Sequence, residues 1–544
     1  MNTLQGKRVL VLGLGLSGLA LARWCHRWGA EVTVADTRQA PPQLERLRQH
    51  CPQARFVAGP LSAELVAGQQ AVFKSPGLSP AETAAVVDAA RAMGLHVGNE
   101  LSLFARALAD LAQPQAGANA DASADVDAGA DAGADAGPDE VADAGAQAAD
   151  APTSTSTPVP YRPVVLAVTG TNGKTTVTAL TGQLVERAGK TVAVAGNIGP
   201  TLLDTLGQAL DSQSLPEVWV LELSSFQLEG IEGFEPTAAT VLNLTQDHLD
   251  WHGSMQAYAQ AKARIYGQQS LMLLNRDDPL VMAQLPAAVT VKGRAPQVRA
   301  HQTFGADLPQ RAGDWGLEGV SGMTWLVRAA EADETLKRRK GEQEEPVHIQ
   351  RLMPAEALLI RGRHNACNAL AALALATAAG CALAPMLHGL RQYRGEPHRV
   401  EPVGVIAGVE FFDDSKGTNV GATVAALKGL GAERRVLVIL GGQGKGQDFT
   451  PLAAPVADCA RAVLLIGRDA PLLRRALQAT GVDLHDAPDL PRAVQMALGL
   501  AQPGDAVLLS PACASFDMFR DYGHRAEVFR QAVVELAQEQ GVML

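Results

Sequence analysis

The chain has 544 residues, of which 19% are charged and 4% aromatic, and a formal net charge of −11 at pH 7. One hydrophobic core does not serve a chain of this length, so about three domains are predicted. Nine acidic residues lie between Asp121 and Asp150 with no Lys or Arg among them, and the remainder is nearly neutral. No nucleic acid is expected as a partner, and the lack of an apolar span of about 18 residues argues against membrane insertion.

The N-terminal residues and the spacing of the cysteines indicate in which cellular compartment the protein is expected. Residues 1–13, MNTLQGKRVLVLG, enter a strand-like run without the charged leader and apolar core of a signal peptide, so a cytoplasmic location is expected. The cysteines lack CxxC spacing, which argues against a zinc site or a disulfide framework and predicts reduced, mostly buried thiols. They are Cys25, Cys51, Cys367, Cys381, Cys459 and Cys513. A monomer is expected.

The first predicted elements form a βαβ unit. Strands are predicted at residues 8–12 and 31–35, with a helix at 17–28 between them. Residues 113–158 then form a tract rich in Ala, Asp and Gly with almost no large apolar side chains, which predicts a disordered insertion. An acidic docking arm is the less favoured alternative for this tract.

Two further α/β units follow the tract. In the second unit, strands are predicted at residues 163–168, 218–221 and 240–244, with a helix ending near Val185 and another at 254–266. A charged stretch at residues 331–345 interrupts this unit and is predicted to be a surface excursion. In the third unit, strands are predicted at residues 435–440, 462–466 and 506–509, with a helix at 472–479.

The predicted fold class is α/β, because 53 glycines and alternating strands and helices favour many tight strand-to-helix turns. The three predicted domains are a Rossmann-like domain at residues 1–98, a central P-loop ATPase-like domain on a parallel sheet at 99–396, and a second Rossmann-like domain at 397–544.

The strongest motif is the sequence GTNGKTT, which lies between a buried strand and a helix and is called the phosphate loop below. It comprises Gly170, Thr171, Asn172, Gly173, Lys174, Thr175 and Thr176. Glycines let backbone N–H groups close around phosphate oxygens, Lys174 neutralises phosphate charge, and Thr175 can offer its hydroxyl to Mg²⁺. The loop is shorter than the usual Walker pattern. It predicts nucleotide binding and by itself leaves ATP or GTP open.

A second glycine motif, GLGLSG at residues 13–18, also follows a strand and opens a helix. With Asp36 at the end of the next strand, it fits the dinucleotide fingerprint, so an NAD-dependent oxidoreductase is one interpretation. The same geometry accepts any diphosphate nucleotide at the helix N-terminus. The motif therefore predicts a nucleotide-binding geometry more firmly than a particular ligand.

Polar residues follow several predicted strands. Glu222 and His248 stand at strand ends and could complete the coordination of Mg²⁺, although single residues of this kind are more often structural. Lys262 lies in a helical run and by default would face solvent. Three loops of the third unit suit an anion such as a small dicarboxylate or a phosphate. These loops are residues 413–419, 441–445 and 510–515.

These motifs, in this order, resemble the Mur ligase family over essentially the whole chain except the Ala/Asp tract and the charged excursion. The shortened loop GTNGKTT is typical of that family. The sequence DSKGTN from Asp414, together with ELSSFQLE and SPACAS, is similar to the D-glutamate-adding branch rather than to the branches with a Tyr-Ala-His pattern. The resemblance implies that UDP-N-acetylmuramoyl-L-alanine binds the first domain, ATP the second and D-glutamate the third.

The resemblance also implies roles for individual residues. Contacts with the uridine diphosphate end are implied for Leu16, Ser17, Asp36, Thr37, Arg38 and Gly77. ATP contacts are implied for the phosphate loop and for Asn365, Asn368, Arg399 and Asp414. Catalytic roles are implied for Lys174, Asn197, His248 and Lys262. Mg²⁺ is implied at Thr175, Glu222, His248 and Lys262, with Lys262 carrying a CO₂ adduct. D-Glutamate contacts are implied for Lys416, Thr418, Lys445, Ser515 and Tyr522, the last where related sequences often have Phe.

The implied reaction is an ATP-dependent amide-bond ligation in peptidoglycan precursor synthesis. The L-alanyl carboxylate attacks the γ-phosphate, an acyl phosphate forms, and the D-glutamate amine displaces phosphate. Three alternatives are kept: a ligase for another amino acid, the NAD-dependent oxidoreductase, and a non-enzymatic P-loop switch. The oxidoreductase leaves the phosphate loop unused, and the switch would have been favoured by loss of Glu222 or Lys174, which are both present.

Overall fold

A computed structural model describes residues 2–113, 160–231, 233–289, 296–331, 347–432 and 434–542. The insertion predicted at residues 113–158 lies outside these residues except for Gln113. The same holds for the excursion predicted at 331–345, of which only Glu331 is described. Within the described ranges the chain forms three sheets, as the fold-class prediction requires.

The N-terminal domain is a five-stranded parallel sheet with helices on both faces. Its strands are β1 (Arg8–Leu12), β2 (Glu31–Asp36), β3 (Arg55–Ala58), β4 (Ala71–Lys74) and β5 (His96–Gly98). Its helices are α1 (Leu16–Arg27), α2 (Leu44–His50), α3 (Pro80–Ala92) and α4 (Glu100–Leu111). The strand order β3-β2-β1-β4-β5 is that of a Rossmann-like sheet, and the predicted first βαβ unit is confirmed.

Strand β1 shows why this sheet is covered on both faces. Successive side chains of a strand point to opposite sides, and here all of residues 9–12 are apolar and buried. Val9 and Val11 pack in one cluster with Leu19 of α1. Leu10 and Leu12 pack in another cluster on the opposite face.

The central domain carries a nine-stranded sheet. Its strands are β6 (Val164–Thr169), β7 (Val192–Gly196), β8 (Val218–Glu222), β9 (Ala238–Val241), β10 (Leu271–Asn275), β11 (His301–Phe304), β12 (Trp315–Val320), β13 (Met323–Ala330) and β14 (His348–Pro354). The order is β14-β13-β12-β11-β10-β9-β6-β8-β7. Strands β6 to β11 pair in parallel, whereas β12, β13 and β14 form an antiparallel meander that the prediction of a parallel sheet did not include.

The helices of the central domain are α5 (Lys174–Arg187), α6 (Leu202–Asp211), α7 (Leu249–His252), α8 (Met255–Ala263), α9 (Pro279–Met282), α10 (Arg363–Ala378) and α11 (Leu383–Leu390). Two predicted bounds are shifted. The strand predicted at residues 240–244 is Ala238–Val241, so residues 242–244 belong to the loop beyond it. The helix predicted at 254–266 is Met255–Ala263 followed by a 3₁₀ turn at Arg264–Tyr266.

The described part of the C-terminal domain contains six strands and five α-helices. The strands are β15 (Glu401–Ile406), β16 (Val409–Asp413), β17 (Val436–Gly441), β18 (Ala460–Ile466), β19 (Asp483–Asp486) and β20 (Ala506–Leu509). The helices are α12 (Val420–Gly431), α13 (Ala453–Cys459), α14 (Ala470–Leu477), α15 (Leu490–Leu500) and α16 (Tyr522–Glu539). The order is β15-β16-β20-β17-β18-β19, parallel except for the edge strand β15.

The N-terminal and central domains share one hydrophobic cluster. The cluster that contains Val9 and Leu19 continues through Phe104 of α4 to Trp219 of β8. The Phe104 and Trp219 rings meet edge to face with centroids 5.0 Å apart. The C-terminal sheet is covered by two clusters of its own.

Two further predictions concern the chain as a whole. All six cysteines are free thiols, and four of them are buried, as predicted. In the described ranges, no helix combines the length and the apolar character needed to cross a lipid bilayer.

Candidate active site

The phosphate loop joins β6 to α5 and has a backbone that only glycine accommodates easily. Gly173 has φ +82°, and a Cβ there would lie 2.8 Å from Oδ1 of Asn368. Asn243, which follows β9, holds the loop in place. The backbone amide of Asn172 donates to Oδ1 of Asn243 at 2.8 Å, and the backbone amide of Thr171 donates to the carbonyl oxygen of Asn243 at 2.9 Å. These bonds occupy two amides of the loop, whereas the N-terminus of α5, which has no side-chain cap, remains available to an anion.

Lys174 and Lys262 both donate to the carbonyl oxygen of Gly170, each at 2.9 Å. Lys174 also bonds the carbonyl of Thr171 at 2.8 Å, and Lys262 bonds the Thr169 hydroxyl at 3.2 Å. Lys262 is 2% exposed, so the default expectation that it faces solvent is wrong. Burial lowers the pKa of both ammonium groups, that of Lys262 far below its usual range with Lys174 adding repulsion.

Glu222 offers an oxygen without a partner beside these lysines. Its side chain is 1% exposed, Oε1 accepts a 2.9 Å bond from Asn197, and Oε2 is buried with no hydrogen bond. Buried carboxylate oxygens are normally paired, so this one points to a cation that it would hold. The predicted Asn197 reaches this carboxylate from an exposed position.

His248 and Thr175 complete the predicted metal group. His248 sits in the left-handed region, with φ 53°, and its ring packs edge-on against Phe226 at 4.8 Å. Burial lowers the pKa of His248 in spite of Asp247, which favours the neutral imidazole that can act as a ligand. The Glu222 carboxylate and the Thr175 hydroxyl are oxygen donors of the kind that Mg²⁺ prefers, whereas an imidazole more often binds transition metals.

A different acidic cluster does not need a metal. His398, Glu401 and Asp413 bring their ligand atoms within 4.8 Å of one another. His398 Nδ1 lies 2.8 Å from Asp413, and the guanidinium of Arg530 is paired with both Glu401 and Asp413. Arg530 therefore compensates the negative charge of this cluster.

A cavity of about 320 Å³ opens between the phosphate loop and the C-terminal domain. Seven residues predicted to contact ATP line it, namely Asn172, Gly173, Thr176, Asn365, Asn368, Arg399 and Asp414. Sequence reasoning missed other lining residues, including Asn243, Asn275, Asp277, Phe304 and His364. Asn243 lies in the strand predicted at residues 240–244, and His364 is next to the predicted Asn365. The other residues come together only through the fold.

The C-terminal domain is docked on this cavity. The Arg399 guanidinium donates to the Thr175 hydroxyl at 2.9 Å. Asp414 is 6% exposed and accepts a 2.6 Å bond from the Ser510 hydroxyl. Burial raises the pKa of Asp414 to about 7 despite that bond.

Four of the five predicted D-glutamate residues lie on three loops at the carboxyl ends of β16, β17 and β20, and the fifth, Tyr522, begins α16. The Lys416 ammonium lies 5.5 Å from the centre of the Tyr522 ring, and the Lys445 ammonium lies 5.9 Å from that of Phe516. Burial lowers the pKa of Lys416. Ser515 is buried, and Thr418 is half-buried on the loop that carries Lys416.

Arg525 was not predicted, yet it ties two of these loops together. Its guanidinium is 1% exposed and donates to the carbonyls of Ser415 at 2.7 Å and Cys513 at 3.1 Å. Burial lowers its pKa to about 10. An arginine in a helical run gives no signal of this role in the sequence, because its partners are distant backbone atoms.

The residues predicted for the uridine diphosphate end divide into exposed and internal groups. Leu16 is 60% exposed at the start of α1, and Thr37, Arg38 and Gly77 are exposed too. Asp36 is 2% exposed and accepts from the Leu14 amide at 2.7 Å and from the Arg38 guanidinium. Burial opposes ionisation of Asp36, but these bonds prevail and lower its pKa to about 2. Asp36 thus fixes the glycine turn and orients Arg38.

Ser17 is linked to a buried glutamate at the junction with the central domain. Glu100, at the start of α4, is 2% exposed and accepts from the Leu203 amide of α6 at 3.2 Å and from the Ser17 hydroxyl. Burial raises the pKa of Glu100 to about 7 against these bonds. One carboxyl group therefore joins the N-termini of α4 and α6, and reaches the N-terminus of α1 through Ser17.

Comparison with known proteins agrees with this arrangement of three sheets around a phosphate loop. Models of three Mur ligase parts match the chain: the MurD-like N-terminal domain at residues 7–98, the middle domain at 168–314, and the glutamate ligase domain at 398–513. The chain belongs to the Mur ligase family.

Relatives within the family share one particular name. The UDP-N-acetylmuramoylalanine--D-glutamate ligase of Polaromonas sp. (strain JS666 / ATCC BAA-500) is 61% identical over 588 aligned residues, with 100% of both chains covered. The ligase of the same name from Albidiferax ferrireducens (strain ATCC BAA-621 / DSM 15236 / T118) is 64% identical over 543 residues, covering 99% of this chain and 98% of that one.

Among solved structures, the MurF ligase of Thermotoga maritima in complex with ADP aligns with a TM-score of 0.54 at 14% identity, covering 99% of this chain and 97% of that one. The UDP-N-acetylmuramate-alanine ligase MurC of Thermotoga maritima aligns with a TM-score of 0.50 at 18% identity, covering 98% and 99%. At these identities the likeness concerns the fold.

The raised pKa of Glu100 predicts a pH dependence of stability. Between pH 4.5, its ordinary pKa, and about pH 7, the unfolded chain releases this proton while the folded chain keeps it, so the free energy of unfolding falls as pH rises. Glu100→Gln removes this contribution. The difference between the urea unfolding midpoint of the variant and that of the native chain should therefore rise from pH 5 to pH 7. Above pH 7 this difference should stay constant.

Glu82→Gln is the control with the opposite sign. The Ser79 hydrogen bonds lower the pKa of Glu82, so that variant should lose stability relative to the native chain as pH rises through the acidic range. Identical pH dependence of the native chain and Glu100→Gln would contradict the assignment.

Proposed function

We propose that this chain is an ATP-dependent ligase that joins D-glutamate to UDP-N-acetylmuramoyl-L-alanine, releasing ADP and phosphate, in peptidoglycan precursor synthesis. The observation that carries the proposal is the convergence of Lys174 and Lys262 on the Gly170 carbonyl, beside the unpaired oxygen of Glu222. Two cations and a free carboxylate oxygen suit a phosphate group and its metal ion together. The shared name of the relatives supports the identity of the substrates. A cytoplasmic location and a monomeric state remain predictions.

The chemistry needs an activated acid, because a carboxylate cannot expel oxide when an amine attacks. An oxygen of the L-alanyl carboxylate attacks the γ-phosphorus, and the bond from that phosphorus to the β–γ bridging oxygen breaks, releasing ADP. The free amine of D-glutamate then attacks the acyl carbon. Phosphate leaves with the electron pair of the C–O bond, and the surplus proton on nitrogen passes to solvent.

The residues of the phosphate loop act by position and charge. The backbone amides of the loop and Lys174 would bind the β- and γ-phosphates, while Asn365, Asn368, Arg399 and Asp414 line the space for the rest of ATP. Glu222, His248 and Thr175 would hold Mg²⁺, which when bound neutralises charge on the transferred phosphoryl group. Asn197 orients the carboxylate of Glu222.

Substrates would enter from the two flanking domains. Leu16, Thr37, Arg38 and Gly77 offer an exposed surface at the helix N-terminus for the uridine diphosphate, with Ser17 and Asp36 behind it. On the other side, Lys416 and Lys445 would bind the two carboxylates of D-glutamate, with Thr418, Ser515 and Tyr522 shaping its position.

We also propose that Lys262 is carbamylated. Carbon dioxide reacts with a neutral amine, and burial, which lowers the pKa of Lys262, favours that form. The resulting carbamate would replace a cation repelled by Lys174 with an anion attracted to it. It would also give Mg²⁺ one more oxygen ligand.

Turnover tests the function directly. The full chain is supplied with ATP, Mg²⁺ and UDP-N-acetylmuramoyl-L-alanine, and ADP release and amide product are measured with D-glutamate, L-glutamate, L-lysine, meso-diaminopimelate or no amino acid. Both products should depend on D-glutamate. Turnover with another amine would change the substrate, and no turnover with any of them would refute the ligase.

Asn197→Ala tests the metal group. Loss of the bond to Glu222 should raise the Mg²⁺ concentration needed for half-maximal rate by about 10–100-fold, as for other residues that orient a metal ligand. Because the variant leaves the buried Oε1 of Glu222 without this hydrogen bond, the thermal unfolding midpoint measured without Mg²⁺ should fall, and rates are compared at a temperature where both chains are folded. An unchanged Mg²⁺ requirement would remove Glu222 from the metal site.

Lys262→Arg tests the carbamate. Arginine keeps the positive charge but does not form the adduct, so kcat should fall by about 100-fold or more, equal to about 2.7 kcal/mol. The native chain in ¹³C-bicarbonate should show a carbamate carbon resonance that the variant lacks. A native spectrum without that resonance would refute the modification even if the variant is inactive.

A further inference from the structure

A reciprocal pair of hydrogen bonds joins two loops, one in the central domain and one in the C-terminal domain. The side-chain nitrogen Nδ2 of Asn172 donates to Oδ1 of Asn419 at 3.2 Å, and Nδ2 of Asn419 donates to Oδ1 of Asn172 at 3.0 Å. The Asn419 nitrogen also lies 3.5 Å from Oδ2 of Asp247. Asn419 is 5% exposed, so this pairing takes place largely away from water.

The backbone around this pair is fitted to the same contact. Asn419 caps α12, because its Oδ1 accepts from the Ala422 amide at 2.9 Å. Two residues after Asn419, a Cβ on Gly421 would lie 2.8 Å from the Thr245 hydroxyl and 3.2 Å from Nδ2 of Asn172. The N-terminus of α12 thus rests directly on the phosphate loop.

Asn419 ends the loop of residues 413–419, which also carries Lys416 and Thr418. Its partner Asn172 lies in the phosphate loop, two residues before Lys174. The pair therefore fixes the distance between the place where phosphoryl transfer occurs and the place where the amine arrives.

We propose that Asn419 is a positioning residue that latches the C-terminal domain to the phosphate loop through Asn172, so that the acyl phosphate meets the amine of the amino acid rather than water. The inference rests on the proposed ligase function. Loss of the latch lets the domain stand open, so the acyl phosphate is hydrolysed and ADP is released without amide.

Substitutions at Asn419 separate the latch from the helix cap. Asn419→Ser keeps a good cap, since Ser and Asn are similar in this position, but its side chain is too short to reach Asn172. Asn419→Ala loses both functions. Asp489→Ala is the matched control, because Asp489 caps α15 through the Arg492 amide at 2.8 Å and, among the described residues, makes no hydrogen bond with the phosphate loop.

The first readout is the amide formed per ADP released by the full chain. This ratio should stay near one for the native chain and for Asp489→Ala. It should fall for Asn419→Ser and Asn419→Ala, with amide turnover reduced about 10-fold. The KM for ATP should change less than the KM for D-glutamate. A native ratio retained by Asn419→Ser would overturn the role in excluding water.

The second readout does not need turnover. Small-angle X-ray scattering of the full chain with Mg²⁺ and a non-hydrolysable ATP analogue should give a larger radius of gyration for Asn419→Ser and for Gly421→Leu than for the native chain and Asp489→Ala. Equal radii would overturn the latch itself. If the native chain shows no amino-acid-dependent ADP release, the proposed function fails, and scattering still decides whether Asn419 holds the domains together.

Discussion

The carbonyl oxygen of Gly170 accepts hydrogen bonds from two lysine ammonium groups, and the surrounding structure is arranged about that convergence of charge. Like charges this close repel strongly where water is scarce. Neither lysine has a carboxylate within ion-pair distance among the described side chains, although Glu222 and Asp247 lie near enough to favour the charged form of both. The site therefore favours an anion, which the phosphates of a nucleotide or the proposed carbamate on Lys262 would each supply.

The polar residues of the site come from the same end of each sheet. The phosphate loop follows β6, Glu222 ends β8, and Asp414 follows β16. In parallel sheets the carboxyl ends of the strands collect the loops that bind ligands. Because the central and C-terminal sheets turn these ends toward each other, one cavity is lined by both domains. Docking of the domains and formation of the nucleotide pocket are therefore a single event.

Sequence reasoning reached the parts of this structure that depend on local patterns. Strand β20 was predicted with the observed bounds, and the phosphate loop was placed correctly, because buried strands and glycine turns leave their signal within a few residues. The meander of β12 to β14 was missed, since periodicity does not report the direction in which neighbouring strands pair. Asn365 and Arg399 lie in no local motif that indicates a ligand, and only the family resemblance pointed to the cavity they line.

Other features depended on contacts between distant parts of the chain. The burial of Lys262 and the bridging role of Arg525 arise from backbone carbonyls that lie 92 and 110 residues away in sequence. Neither residue type in a helical run predicts such partners. Asp36 shows the reverse case. It ends the second strand, as the fingerprint predicts, but its carboxylate oxygens accept hydrogen bonds from Leu14 and Arg38 of the same domain.

The cluster that runs from Val9 through Phe104 to Trp219 has a consequence for how the molecule moves and unfolds. Two sheets that share one core lose their packing together, so the first two domains constitute one cooperative unit and the C-terminal domain, with its separate clusters, another. The C-terminal domain is therefore expected to unfold separately from the other two, and the joint between the two units would lie in the segment that enters β15.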